Sequence, residues 1–162
     1  MDPDIVDELK KYSWCIHRKA NGHYVHVYRN EQRKDGRWRR IKLTHHVMGL
    51  PKAGCGWDHA NGNNLDNRRC NLREATQRQN SQNMRVRRIH NRQRPKTSKY
   101  KGVSFSLIHK RYIPTKPWRS RIRLNGELIN IGWFKTEEEA AIAYNNAASK
   151  YFGEFACLNE VS

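Results

Sequence analysis

In the stretch Trp57-Asp58-His59-Ala60-Asn61-Gly62-Asn63-Asn64-Leu65-Asp66-Asn67-Arg68-Arg69-Cys70-Asn71-Leu72-Arg73, followed by Gln79-Asn80, a carboxylate stands beside a histidine with asparagines downstream. This is a compact set of a metal ligand, a base and orienting groups. Hydrolysis of a phosphodiester needs a water made nucleophilic and a cation placed where negative charge grows on the phosphate and the leaving oxygen. His59 is able to do the first, and Asp58 and Asn80 offer oxygen ligands for the second. Oxygen donors without a thiolate pair favour a hard cation, Mg²⁺ or Mn²⁺, over zinc. Taken singly, Asp58-His59 also reads as a helix cap beside a surface imidazole. The addition of Asn71, Leu72, Arg73 and Asn80 makes the pair a candidate site. Asn61-Gly62 and Asn63-Asn64 read as turn formers, His45 and His46 as structural or phosphate-facing, and Cys55 and Cys70 as packing residues.

Patterning predicts the elements that hold these residues. His23–Tyr28 and Trp38–Leu43 alternate about the turn Lys34-Asp35-Gly36, which predicts an antiparallel hairpin over 23–43. Thr44 is expected to cap a short helix, His45–Met48, stopped by Gly49 and Pro51. Leu72, Ala75, Thr76 and Gln79 recur at three-to-four spacing, which places Asn71 through Asn80 mostly on a helix. Residues 81–98 hold six Lys/Arg and no acid. With Pro95 and no apolar periodicity they read as a basic linker tracking phosphates, with Arg87 and Arg88 as candidate backbone contacts. Lys101–Ser106, Trp118–Leu124 and Leu128–Phe134 then read as strands, the last two joined by a tight Asn125-Gly126 turn. Thr136-Glu137-Glu138-Glu139 is a capping box, and Ala140, Ala143, Tyr144, Ala147, Ala148 and Tyr151 make the apolar face of a helix ended by Gly153. The fold class is therefore α+β: a module over 1–80 with its motif at 55–80, a linker over 81–98, and a three-stranded antiparallel sheet with one packed helix over 99–162.

The chain has 162 residues, with Lys+Arg 32 against Asp+Glu 15, a net charge of +17. A balance this basic implies a polyanion partner, and nucleic acid is favoured over a ribosomal or membrane-surface role. A hydrophobic content of 36% limits the core while 10% aromatic is too rich for a disordered chain, so small folded modules are expected. No apolar run is long enough to cross a bilayer, and Met1-Asp2-Pro3-Asp4 lacks a basic leader. The four cysteines are spread without a C-x-x-C pair, so reduced thiols and a cytoplasmic location are expected. Arg119, Arg121 and Arg123 alternate, which places them on one strand face near Trp118 and Trp133. Such a face suits the major groove of double-stranded DNA, although it also reads as a solvated polar face. Nothing calls for a protein partner, and a monomer is expected.

The Asp-His…Asn-Leu-Arg…Gln-Asn pattern at residues 58–80 resembles the HNH nuclease family, specifically its phage and mobile-intron homing branch. The resemblance implies a ββα-metal fold, Asp58 and Asn80 as metal ligands, His59 as general base, and Asn71 as the residue that holds the site loop. Residues 98–160 resemble the AP2/ERF DNA-binding domain at Tyr100-Lys101-Gly102-Val103, Trp118–Arg123, Ile131-Gly132-Trp133-Phe134, Glu137–Tyr144 and Leu158-Asn159. That resemblance implies a DNA-reading sheet, with Lys101, Trp118, Arg119, Arg121, Arg123 and Trp133 as contacts. Ser104 and Arg121 depart from the residues usual there, so no target sequence carries over. Together these readings predict a site-specific, homing-type DNA endonuclease that nicks one strand. The rivals are a DNA-binding regulator with a decayed nuclease half and a nonspecific defence or packaging nuclease.

Overall fold

Turn chemistry cuts the chain into short elements. The computed structural model describes residues 1–18, 25–84, 98–105 and 115–161, and the chain divides into two units, Met1–Ser81 and Gln82–Ser162. Among the described residues no helix is long and apolar enough to cross a membrane.

The first unit begins with a 3-10 turn, Pro3–Ile5, and a short helix α1 (Val6–Leu9), followed by β1 (Cys15–Arg18), β2 (Val25–Gln32) and β3 (Trp38–Lys42). The strands form an antiparallel sheet in the order β1-β2-β3. β2 and β3 pair from Tyr28↔Lys42 to Gln32↔Trp38, closed by a turn in which Gly36 takes φ 79°. The expected hairpin is present from Val25 onward, residues 23 and 24 lie outside the described residues, and β1 is a strand that the pattern did not announce. One sheet face is packed: Arg29 lies 4.1 Å over the Tyr12 ring, and Tyr12 and Trp14 each meet His46 edge-on at 5.4 Å. Helix α2 (Leu43–Met48) corrects the expected cap, because it starts on buried Leu43 directly after Lys42, which is still paired in β3. Thr44 is therefore inside the helix and no side chain caps it.

β4 (Cys55–His59) and β5 (Leu72–Thr76) pair antiparallel from Cys55↔Thr76 to His59↔Leu72, and helix α3 (Gln77–Asn83) follows. Half of the helix expected over 71–80 is therefore strand, Leu72–Thr76, and only residues 77–80 are helical. Leu72 and Ala75, 6% and 2% exposed, repeat at helical spacing, yet β4 offers them a full ladder of backbone partners. Thr76 decides where the helix starts: its Oγ1 accepts from Gln79 N at 3.3 Å while Gln79 Oε1 accepts from Thr76 N at 2.8 Å. This reciprocal pair is a capping box.

In the second unit β6 (Val103–Phe105), β7 (Trp118–Leu124) and β8 (Glu127–Phe134) form an antiparallel sheet in chain order. Asn125, at φ 55°, and Gly126, at φ 92°, make the tight β7–β8 turn. Helix α4 (Glu137–Phe152) starts on the expected Thr136–Glu139 capping box and ends at Gly153. Its buried stripe is Ala140, Ala141, Tyr144, Ala148 and Phe152, packed with Ile122 of β7. Tyr151, expected on that stripe, is 43% exposed. The four-residue steps from Ala140 to Phe152 carry the stripe past it.

Candidate functional site

The hairpin β4–β5 positions the acid and the histidine. Asp58 stands opposite Arg73 and is 4% exposed. Its Oδ2 accepts from Arg73 Nε at 3.0 Å, with Arg73 Nη2 also at 3.0 Å. A carboxylate taken this far from water needs such a charged partner. Next along the strand, His59 Nε2 lies 3.1 Å from Oδ1 of Asn67. Asn67 is 2% exposed, and its Nδ2 donates to the carbonyls of Asn64 at 3.4 Å and Leu65 at 3.2 Å. Carbonyls only accept, so the Asn67 nitrogen must face them and its oxygen must face the imidazole. In the neutral ring His59 then carries its proton on Nε2 and its lone pair on Nδ1.

The loop from β4 to β5 closes on Asn71. Its Oδ1 accepts from Asn61 N at 3.0 Å, and its Nδ2 donates to Asn61 Oδ1 at 3.0 Å and to the Asp66 carbonyl at 2.7 Å. The backbone adds Ala60 N to the Asn71 carbonyl at 2.9 Å. Asn61 and Asn63 make the turns expected of them, each accepting from the amide two residues on, at 2.8 and 3.1 Å. Asp66 receives Arg68 Nε and Nη2 at 2.7 Å each, and Asn61 Nδ2 at 2.9 Å. The Arg68 guanidinium, foremost, holds the Asp66 carboxyl well below the usual carboxylate range. On the far side Arg69 is clasped by the acidic start of the chain: its N donates to Asp2 Oδ2 at 2.9 Å and its Nη1 to Asp4 Oδ2 at 2.6 Å.

Asn80 lies on α3 with its side chain exposed. Its amide oxygen and the Asp58 carboxylate are hard donors. Among the described residues no three His, Cys, Asp or Glu side chains gather as a metal cage. The chemistry of this donor set fits a hard cation that keeps most of its waters. One carboxylate has about four lone-pair sites, enough for both a guanidinium and a cation. Cys70, expected to pack, is exposed, as an external position in the 3-10 turn Arg69–Asn71 allows, and all four thiols are free. His45 and His46 lie in α2; burial and the nearby Lys42 push the His45 imidazole below its ordinary value.

In the second unit the pairing steps from Ser120↔Gly132 to Arg121↔Asn130, so the extra residue of the bulge, Ile131, is on β8. The alternation of β7 is thus unbroken, with Ser120 and Ile122 buried on one face and Arg119, Arg121 and Arg123 on the other. Arg119 Nε donates to Asn130 Oδ1 at 2.8 Å and its guanidinium lies 5.1 Å over the Trp133 ring. Arg123 Nη1 donates to the Gly126 carbonyl at 2.9 Å. Trp118 falls on the opposite, Ser120 side and meets Phe105 edge-on at 4.9 Å. The Lys101 ammonium donates to the carbonyls of Gln82 at 2.5 Å and Met84 at 2.7 Å, and burial lowers its pKa. Arg87 and Arg88 lie outside the described residues.

Asn67 and the Thr76–Gln79 cap escaped sequence reasoning. The second carries a readable signal, Thr-x-x-Gln at the head of a helix; the first, an amide in a turn-rich stretch, carries none.

The chain is similar to an uncharacterised HNH endonuclease of Acanthamoeba polyphaga mimivirus, with 36% identity over 104 residues, 64% of this chain and 46% of the relative. The chain thus spans about half the length of that relative. No family model matches the chain. No solved structure matches it either.

Proposed function

We propose that this chain is a site-specific, homing-type DNA endonuclease of the HNH class, whose first unit hydrolyses a phosphodiester and whose second unit reads the duplex. The observation that carries the reading is the Asp58-His59 pair at the end of β4, with the His59 ring held by buried Asn67. The order β4-β5-α3, two antiparallel strands and then a helix, supports a ββα-metal arrangement, and the likeness to a named HNH endonuclease supports the class.

His59, donating from Nε2 to Asn67, takes the proton of the attacking water at Nδ1 as general base. Asp58 and Asn80 would hold one divalent cation, Mg²⁺ or Mn²⁺. The chemistry that such an ion supplies when bound is charge stabilisation at the phosphate and the leaving oxygen. Arg73 keeps the Asp58 carboxylate oriented, and Asn71 keeps the loop that follows His59 from opening. Arg119, Arg121 and Arg123, with Trp133, form the reading face of an AP2-like sheet, where guanidinium groups pair with guanine edges or grip phosphates.

The test is His59→Ala in the full chain with duplex DNA and Mg²⁺. Cleavage should fall by about 10² to 10⁴-fold with DNA affinity unchanged. Turnover at the wild-type rate in that variant, or cleavage undiminished in excess EDTA, would overturn the mechanism.

A further inference from the structure

The sheet of the first unit has two chemically different faces. Register decides which residues share each one: Cys15, Tyr28 and Lys42 lie in one row, and Asn30↔Arg40 and Gln32↔Trp38 continue the same face. Alternation puts Arg29, Glu31 and Arg39 on the other face, where Arg29 Nη2 pairs with Glu31 at 2.9 Å and Arg39 also bonds that carboxylate. Glu31 is the only acid in the three strands, so the first face carries no carboxylate.

That face is also the exposed one. Trp38 is 69% exposed, and His17, His26, Arg40 and Lys42 are exposed beside it. The Arg40 guanidinium lies 4.9 Å over the Tyr28 ring, which holds the cation on the surface. An indole left this open, among cations and without a carboxylate, marks a contact surface for an anionic partner. Arg40 and Lys42 are two residues apart on β3, an edge strand, so their stems are about 6.8 Å apart. A row of this spacing along one edge lets each cation meet its own phosphate on one strand of a duplex.

We propose that the open face of β1–β3 is a DNA-backbone clamp within the first unit, where Arg40 and Lys42 meet successive phosphates and Trp38 packs on a deoxyribose. This rests on the reading of duplex DNA as substrate and adds to it where the first unit grips that substrate. The contacts carry no base information, so the clamp holds the duplex while sequence is read elsewhere.

The experiment compares the full-length wild type, Arg40→Gln/Lys42→Gln, Trp38→Ala and His59→Ala on labelled duplexes of several unrelated sequences across a salt series. All the clamp side chains are exposed, so thermal midpoints should not move. The double variant should bind every sequence about tenfold more weakly, with a log–log salt slope shallower by roughly two. Trp38→Ala should weaken binding with the slope unchanged. A chain that binds and cuts DNA while both clamp variants keep wild-type affinity and slope removes the clamp and leaves the nuclease reading standing. Clamp effects in a chain that never cuts support the clamp and remove the nuclease, and a chain with no affinity for duplex DNA removes both.

Discussion

Asn67 turns a titratable side chain into a directed one. Two carbonyls hold its amide, the amide holds Nε2 of His59, and the basic nitrogen is left no choice. Asn67→Ala should therefore lower kcat by about 10² while leaving DNA affinity alone, because a misaimed base affects the barrier rather than ground-state binding. Single-turnover cleavage beside a binding titration measures both, and nitrogen NMR of the imidazole should show the tautomer becoming mixed. A second prediction concerns acid. The folded Asp66 carboxyl is held below its unfolded value by Arg68, so the unfolded chain takes up its proton first. The stabilisation is fully present above about pH 4 and is lost as pH falls through the lower folded value. Wild type should lead Asp66→Asn in urea midpoint at neutral pH, and that lead should begin to shrink below about pH 4 and keep shrinking as the pH falls further. The closeness of Asp58, His59 and Asn71 was legible from side-chain type and spacing. Asn67 was not, since its role comes from burial and from two carbonyls that no sequence pattern displays.

Element by element, what the sequence concealed was competition between neighbours. Leu72 and Ala75 repeat like a helix but are drawn into β5 by the backbone groups of β4. A periodicity describes one segment and cannot see the strand beside it. Where local chemistry governs, as in the Thr136 box and the Asn125-Gly126 turn, the reading held. The same local chemistry makes Thr76 a point of control, since its cap begins the helix that carries Asn80. Thr76→Ala should cost about 0.5–2 kcal/mol and raise the Mg²⁺ needed for half-maximal cleavage, readable from a metal titration beside a denaturation curve. Gly102 is constrained more tightly: at φ 76° its missing Cβ would sit 2.1 Å from Tyr144 Cδ2 and 2.6 Å from the Arg121 carbonyl. Gly102→Ala should destabilise the second unit by more than about 2 kcal/mol, since backbone cannot move aside as a flexible side chain can.

For the molecule as a whole, charge and the number of candidate sites point the same way. A chain with net charge +17 resists pairing with its own copy in the absence of DNA, and it carries one Asp58-His59 set. Light scattering should give a monomer, and supercoiled plasmid should accumulate as open circle before any linear product. A dimer mass with direct conversion to linear form would overturn the expectation. Of the basic stretch expected as a linker, residues 81–83 close α3 and residues 85–97 lie outside the described residues; how Asp2 and Asp4 reach Arg69 was not legible, because a contact across 67 and 65 residues leaves no local trace. That clasp has a bearing on how the chain comes into being. On a ribosome, synthesis runs from the N-terminus, so the two acids emerge early and wait, unmatched, until Arg69 has left the exit tunnel. Their meeting closes the first unit on itself while much of the second is still being made. A nascent chain halted once α3 has itself cleared the tunnel should therefore already resist protease across the β4–β5 loop, and Asp2→Asn/Asp4→Asn should postpone that resistance.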